Sequence, residues 1–450
     1  MRRVSGIVLR LAVLAAVAGL VGCGGGTGIR ASGAIGAAGS APPSSSGAAG
    51  SGSGSSPSAA PAASPTSPAT TAPSATPAPP AQWISAGSID PGRALTHAVL
   101  LAGGDVLVVG EDWLGCGGEG LSALATSVNS EVFLAATGTW QKTASLNAIR
   151  VGLVLTPLAD GRALVAGGET ADGIPFSSVK LFDPTAWTWS QPGLMGYART
   201  DAAGATLQDG RVLVTGGWFP SPTATSRLVP TSEIFNPSTD TWSRTGSLHT
   251  LRTRARAVTL SDGRVLIVGG ENLAGTPIRT AEIWNPSTGA WSSAGTLPAG
   301  RPTTSPDFAL VALDGGGALV VGGTSSAAAG AERFDPAALT WSATGPMVTG
   351  ASERAVAVLA DGRVVAAGGL IGSRPTPDVE LFDPATGRWA ATTPLPAARA
   401  GAVAVTLSDG SVLLLGGYSG VDYPAHGVMG GGSGCPITVV DALRYLPADS

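Results

Sequence analysis

The chain has 450 residues, of which only 12% are charged, and a formal net charge of −4. Four of its 26 Lys and Arg (Arg2, Arg3, Arg10, Arg30) precede residue 82, so the stretch 82–450 sets 22 basic residues against 30 acidic ones, a net of about −8. An acidic domain with no basic stripe argues against a nucleic-acid surface. Its length is too great for a small sandwich.

Residues 1–22 read as an export signal. Arg2, Arg3 and Arg10 supply positive charge, and Leu11–Val21 is an apolar core of 11 residues, short for a membrane-spanning helix. Leu20-Val-Gly-Cys23 resembles a lipoprotein signal-peptidase box. That resemblance implies a diacylated Cys23 and a bacterial chain held outside the cytoplasm, anchored to a membrane by lipid alone. An ordinary cleaved signal is the alternative. Residues 23–81 are almost wholly Gly, Ser, Ala, Pro and Thr, with Arg30 the one charge. Such a segment cannot bury enough apolar area to offset the entropy of ordering, so a disordered linker is expected. At ~5–6 Å × √n it would span roughly 40 Å end to end.

From Gln82 onward one motif recurs, seen most fully in Ser261-Asp-Gly-Arg-Val-Leu-Ile-Val-Gly-Gly270. Close copies stand at Asp160–Gly168, Asp209–Gly217, Asp361–Gly369 and Asp409–Gly417, and looser ones at Gly104–Gly110 and Asp314–Gly323. The closing glycines lie 46 to 58 residues apart, a period that points to a radial β array. Asp-Gly before an apolar run predicts a two-residue hairpin of type I′. The apolar run is continuous rather than alternating, as in a strand covered on both faces. A third strand follows each glycine pair, as in Glu233-Ile-Phe-Asn-Pro237 and Glu380-Leu-Phe-Asp-Pro384. Nine residues after its first member stands a Trp, at 140, 189, 242, 291, 341 and 389.

The glycine pair, the later aromatic and the spaced Trp resemble the kelch repeat family, over roughly residues 82–450. The resemblance implies an all-β, seven-bladed β-propeller with four strands per blade. Val109, where the first glycine of a pair would stand, departs from the pattern. Gln82-Trp-Ile-Ser-Ala-Gly-Ser matches the end of a complete blade, and Leu443-Arg-Tyr-Leu-Pro447 matches a third strand with no Trp strand after it. The two remnants complete each other, so an N-terminal fourth strand is expected to close the last blade.

Cys116 and Cys435 fall in the loops after the second strands of blades 1 and 7, neighbours in a closed ring. In an exported protein a disulfide between them is the leading reading. Free thiols or a copper ligand are the alternatives. The same two loops are the longest of their kind, and long loops on a rigid scaffold are where binding concentrates. They carry Glu111, Trp113, Tyr418, Asp422, Tyr423 and His426, and blade 3 adds Trp218 and Phe219. Aromatics beside acids suit a glycan, wall polymer or protein ligand, and covering their own loops is the other use for the Trp residues. Arg recurs 18 residues before the closing glycine, at 150, 199, 252 and 399, and a Glu opens five third strands. Arg–Glu pairs within blades are the expected use of both.

Three dispersed His give no metal spacing, and no Gly-x-Ser-x-Gly elbow, Walker loop or His-Glu-x-x-His helix occurs. No catalytic residue, metal or other cofactor is therefore expected, and the unit expected is a monomer. A copper-radical oxidase resembling galactose oxidase is the enzyme alternative. It needs two Tyr and two His on copper, and Tyr423 and His426 near Cys435 are the one hint of them. An architectural surface protein is the third reading. Peptide mapping of the unreduced protein is expected to return Cys116 and Cys435 in one linked fragment; alkylation of both thiols without reductant would rule the bridge out.

Overall fold

The computed structural model describes residues 80–89, 93–112, 130–148, 150–170, 172–219, 227–298, 308–323, 331–422 and 435–448. The chain divides into two compact units at Pro77/Ala78, and every described residue belongs to the second. Described residues form seven four-stranded antiparallel sheets and three two-stranded ribbons. In chain order the sheets are blade 1 (93–142), blade 2 (151–190), blade 3 (203–245), blade 4 (256–296), blade 5 (308–343), blade 6 (355–391) and blade 7 (403–446 with 82–88). The first strand of each blade lies beside the first strands of the blades before and after it, and blade 7 returns to blade 1. This is the seven-bladed propeller that the repeat predicts.

Closure also follows the prediction. Gln82–Ser88 pairs with Asp441–Leu446 as the outermost strand of blade 7, with Trp83 opposite Tyr445. Their rings are 4.9 Å apart, as the Phe–Trp pairs of the other blades are at 5.0 to 5.2 Å. Offset aromatic pairs at this spacing contribute about 0.5–1.5 kcal/mol beyond their area.

The apolar runs have no common centre to fill. Buried side chains fall instead into seven clusters, each shared by two adjacent blades. In blade 4, Val265 and Ile267 face Leu213 and Ile234 of blade 3, while Leu266 and Val268 face Val320 and Phe334 of blade 5. A strand alternates its side chains between faces, so a strand apolar at every position needs a neighbour on each side. Each fully buried Val, Leu or Ile stabilises by about 1.5–3 kcal/mol.

Polar bonds lock the seams. In every blade but blade 3, where the buried Trp242 N–H has no partner among the described residues, the outer Trp donates its indole N–H to the blade before it: Trp189 to Ser130 Oγ at 2.9 Å, Trp341 to the Ala294 carbonyl at 2.9 Å, Trp83 to the Thr393 carbonyl at 3.0 Å. The glycine pair takes the backbone of the blade after it. The Gly369 N–H donates to the Arg399 carbonyl at 2.9 Å, and a Cβ on Gly368 would collide with that same oxygen.

The Asp-Gly turns depart from type I′. In Leu260–Arg264 the Leu260 N–H donates to the Arg264 carbonyl at 2.8 Å and Gly263 N–H to the Leu260 carbonyl at 2.9 Å, which makes a three-residue loop. Only the glycine takes positive φ, +84°. Asp262 keeps an ordinary backbone because its carboxylate is occupied elsewhere, accepting the Arg264 N–H at 3.0 Å and pairing with the Arg264 guanidinium. A three-residue loop with glycine in the left-handed region is the next commonest hairpin connection.

Removing residues 80–90 is expected to lower the melting temperature by roughly 10 °C or more, since two seams lose partners. Calorimetry on the truncated protein checks this, and an unchanged melt would refute ring closure by this strand.

Candidate functional site

A residue that recurs in every blade serves the fold, and one that breaks the repeat is free to serve a ligand. The Arg–Glu positions recur. Buried Arg199 gives Nη1 to the Gly216 and Thr231 carbonyls and Nη2 to Glu233 at 2.6 Å. Arg252 does the same in blade 4 with Glu282 at 3.1 Å. The carboxylates also hold the incoming chain, Glu282 accepting the His249 and Thr250 N–H groups. Blade 6 lacks Arg at the usual offset, and Arg354, three residues later, pairs with Glu380 at 2.8 Å. Blade 7 uses Asp441, two residues before the usual Glu position, for Arg399. In blade 2 the acid is replaced by Lys180, and Arg150 is left with carbonyls, Ser178 and the Phe176 ring; burial lowers its pKa to about 10. Burial likewise lowers Arg199, Arg252 and Arg354, against the pull of their Glu partners. These groups are clasps inside the blades, as expected from the sequence.

The repeat is broken at one end of the innermost strands. Sixteen residues before the closing glycine, the chain enters the innermost strands of five blades through the left-handed region. Blades 2 and 7 use glycine there, Gly152 (φ +69°) and Gly401 (φ +65°). Blades 3, 4 and 6 use Asp201 (+52°), Arg254 (+56°) and Glu353 (+52°). Residues with a Cβ are strained in this conformation by about 1–3 kcal/mol, and such strain concentrates at functional sites. Backbone bonds join these positions from blade to blade: Asp201 N–H to the Gly152 carbonyl, Arg254 N–H to the Asp201 carbonyl, Gly401 N–H to the Glu353 carbonyl. They therefore form a collar around the axis.

A second tier stands against the collar, made by the residue that follows each glycine pair: Glu169, Trp218, Glu271, Leu370 and Tyr418. Trp218, Glu271, Leu370 and Tyr418 each bridge to the backbone residue just before the collar position. Two of the predicted site residues thus occupy equivalent places. The Trp218 indole donates to Asp201 Oδ2 at 3.3 Å, and the Tyr418 hydroxyl donates to Glu353 Oε2 at 2.8 Å across the blade 6/7 seam. Arg254 lies between Asp201 at 3.4 Å and Glu271 at 3.3 Å. Burial alone would lower its pKa, but Asp201, Glu271 and Glu169 together carry it upward.

The other predicted residues divide. Phe219 turns to its own loop, where Arg227 stacks at 5.5 Å, so it covers the ribbon Trp218–Phe219/Arg227–Leu228. Glu111 is the next-to-last residue of the second strand of blade 1, and Asp422 lies opposite Cys435 in the blade 7 ribbon; their side chains are outside the described residues. Trp113, Cys116, Tyr423, His426 and Cys23 also fall outside them. Asp201, Arg254, Glu271 and Glu353 were missed. Their signal was positional: the first residue after the glycine pair, and the sixteenth before the closing glycine.

A kelch motif model matches residues 252–298 and 353–396, which are blades 4 and 6 with their entering chains. The chain is thus a seven-bladed propeller that carries kelch motifs in two of its blades. Its fold is similar to that of a fungal alcohol oxidase of the AA5 family in complex with copper, at 18% identity and TM-score 0.58, covering 83% of this chain and 77% of that one. A structure titled YjhT aligns at 17% identity and TM-score 0.46 over 65% of this chain and 93% of its own. Among curated proteins nothing matches. The repeat accounts for the glycines, clasps and Trp ring, and the collar is where the blades differ from one another.

Replacing Glu282 by Ala would strand buried Arg252 and two N–H groups, a loss of about 3–5 kcal/mol on the scale of broken buried pairs. Denaturant unfolding reads it; a loss under 1 kcal/mol would contradict the clasp role.

Proposed function

We propose that this kelch propeller is a non-catalytic binding module displayed outside the cytoplasm. In this reading residues 1–22 direct export, a lipid on Cys23 anchors the chain to the membrane, and 23–81 is the tether. The ligand, a glycan, wall polymer or protein, is taken on the face that bears the collar and the long loops of blades 1 and 7. The observation that carries the reading is the collar itself. At structurally equivalent positions the chain places different side chains (Trp218, Glu271, Leu370, Tyr418), and three neighbouring positions bear backbone strain that glycine would remove. Aromatic faces flanked by carboxylates and guanidinium groups suit hydroxyl-rich or mixed polar ligands.

The copper-radical alternative was tested against the donors present. Among the described residues no group of three or more His, Cys, Asp or Glu could hold a metal. The three described tyrosines are otherwise engaged. Tyr197 lies under Arg244, Tyr418 bonds Glu353, and Tyr445 is buried against Trp83. His249 bonds Glu282 within a clasp. These residues do not fit the two-Tyr, two-His donor set, and no reaction step is built on it.

A glycan array probed with the full-length protein tests the binding reading. Signal is expected for a subset of glycans, falling at least tenfold for Trp218→Ala with the melt unchanged. Peroxide release from a primary alcohol by copper-loaded protein would favour the oxidase, and neither result would leave an architectural role.

A further inference from the structure

Arg256 begins the innermost strand of blade 4, two residues beyond the collar residue Arg254. The position is defined by register, opposite the residue two before the closing glycine, as Arg256 is opposite Val268. In every other blade the same position holds Ala or Val, such as Ala203, Ala355 and Val403. The fold therefore needs nothing larger there. Among the described residues Arg256 makes no hydrogen bond or ion pair. Its side chain is exposed, yet desolvation lowers its pKa, with Asp201 opposing from a distance. Five N–H donors thus stand exposed and without acceptors at the start of an innermost strand in an otherwise acidic domain.

Around it the collar offers complementary chemistry. Arg254 enters the same strand two residues earlier and pairs with Asp201, which enters the innermost strand of blade 3, and the half-buried Trp218 is fixed on Asp201 by its indole N–H. A guanidinium fork matches the oxygens of a carboxylate or a phosphate. Carboxylate and guanidinium side chains accept from and donate to hydroxyls, and an aromatic face packs against a sugar ring.

We propose that the collar at blades 3 and 4 binds an oxyanion-bearing saccharide, its acidic group on Arg256, its hydroxyls on Asp201 and Arg254, and its ring beside Trp218. This deepens the binding reading above and rests on it. The acidic group is a uronate carboxylate or a sugar phosphate; Arg256 accommodates both.

Three hexoses that differ at one carbon test it: D-glucose, D-glucuronate and D-glucose 6-phosphate, titrated calorimetrically into the full-length protein at low salt. At least one anionic sugar is expected to bind tenfold or more tightly than glucose, and the one that does names the acidic group. Arg256→Ala, which installs the residue blades 3, 5 and 6 already use, is expected to remove that difference without moving the melt. Arg256→Lys should retain part of it. Raising the salt should weaken the anionic sugar and leave glucose unchanged. Equal affinity for all three sugars, or an anionic preference that survives Arg256→Ala, overturns the proposal. Acetate or inorganic phosphate binding as tightly as the sugar acids overturns its saccharide part. Array binding of neutral glycans that depends on Trp218 but not on Arg256 would leave the binding module standing and remove only this inference.

Discussion

The structure depends on the seam between blades. Each second strand is apolar on both faces, so no blade can bury its own core, and the seven buried clusters exist only where two sheets meet. A row of such sheets would expose one apolar face at each end. Bending the row into a circle removes both ends, provided the last sheet is complete. Gln82–Ser88 completes it, and Trp83 and Ala86 contribute to the clusters on the two sides of blade 7. The polar seam bonds follow the same geometry. Indole groups reach back to the preceding blade, and the glycine pairs of blades 2, 3 and 6 receive the following one, so seams are keyed from both sides.

This division of labour separates frame from site. Buried Arg–Glu pairs, glycines and tryptophans recur because every seam poses the same packing problem. Single charges inside a protein are expensive to desolvate, and the clasps offset that by giving each guanidinium carbonyls as well as a carboxylate. Freed from this duty, the collar differs from blade to blade. Asp201, Arg254 and Glu353 hold strained backbone where Gly152 and Gly401 show an unstrained choice exists.

Most of the frame was legible in the sequence because its signals are periodic. The repeat count with the kelch resemblance predicted seven blades, the blade remnants predicted the fourth-strand role of Gln82–Ser88, and the recurring positions predicted Arg–Glu pairs, as seen in blades 3, 4 and 6. The turn type was misread because Asp-Gly fits two hairpin geometries, and the choice rests on whether the Asp carboxylate bonds the Arg two residues on, as Asp262 does with Arg264. The site was less legible. Trp218 and Tyr418 stood out as aromatics next to glycine pairs, whereas Phe219 shares that context and turns away to Arg227. Arg354 escaped notice because it reaches the clasp from a different offset, and Arg256 because one arginine looks like surface variation until register shows that every other blade has Ala or Val there.

The pairing of Trp83 with Tyr445 has a temporal consequence. A ribosome makes the first ordered strand early and its partner last. At about 5–20 residues per second the delay is on the order of tens of seconds. Throughout that interval Gln82–Ser88 is an orphan β-segment, the kind that recruits foreign strands. Its composition suits the wait: Gln82, two serines and a glycine dilute Trp83 and Ile84, and seven residues make a poor template for aggregation. The sticky, fully apolar strands are held in hairpins that find their partners within a few dozen residues.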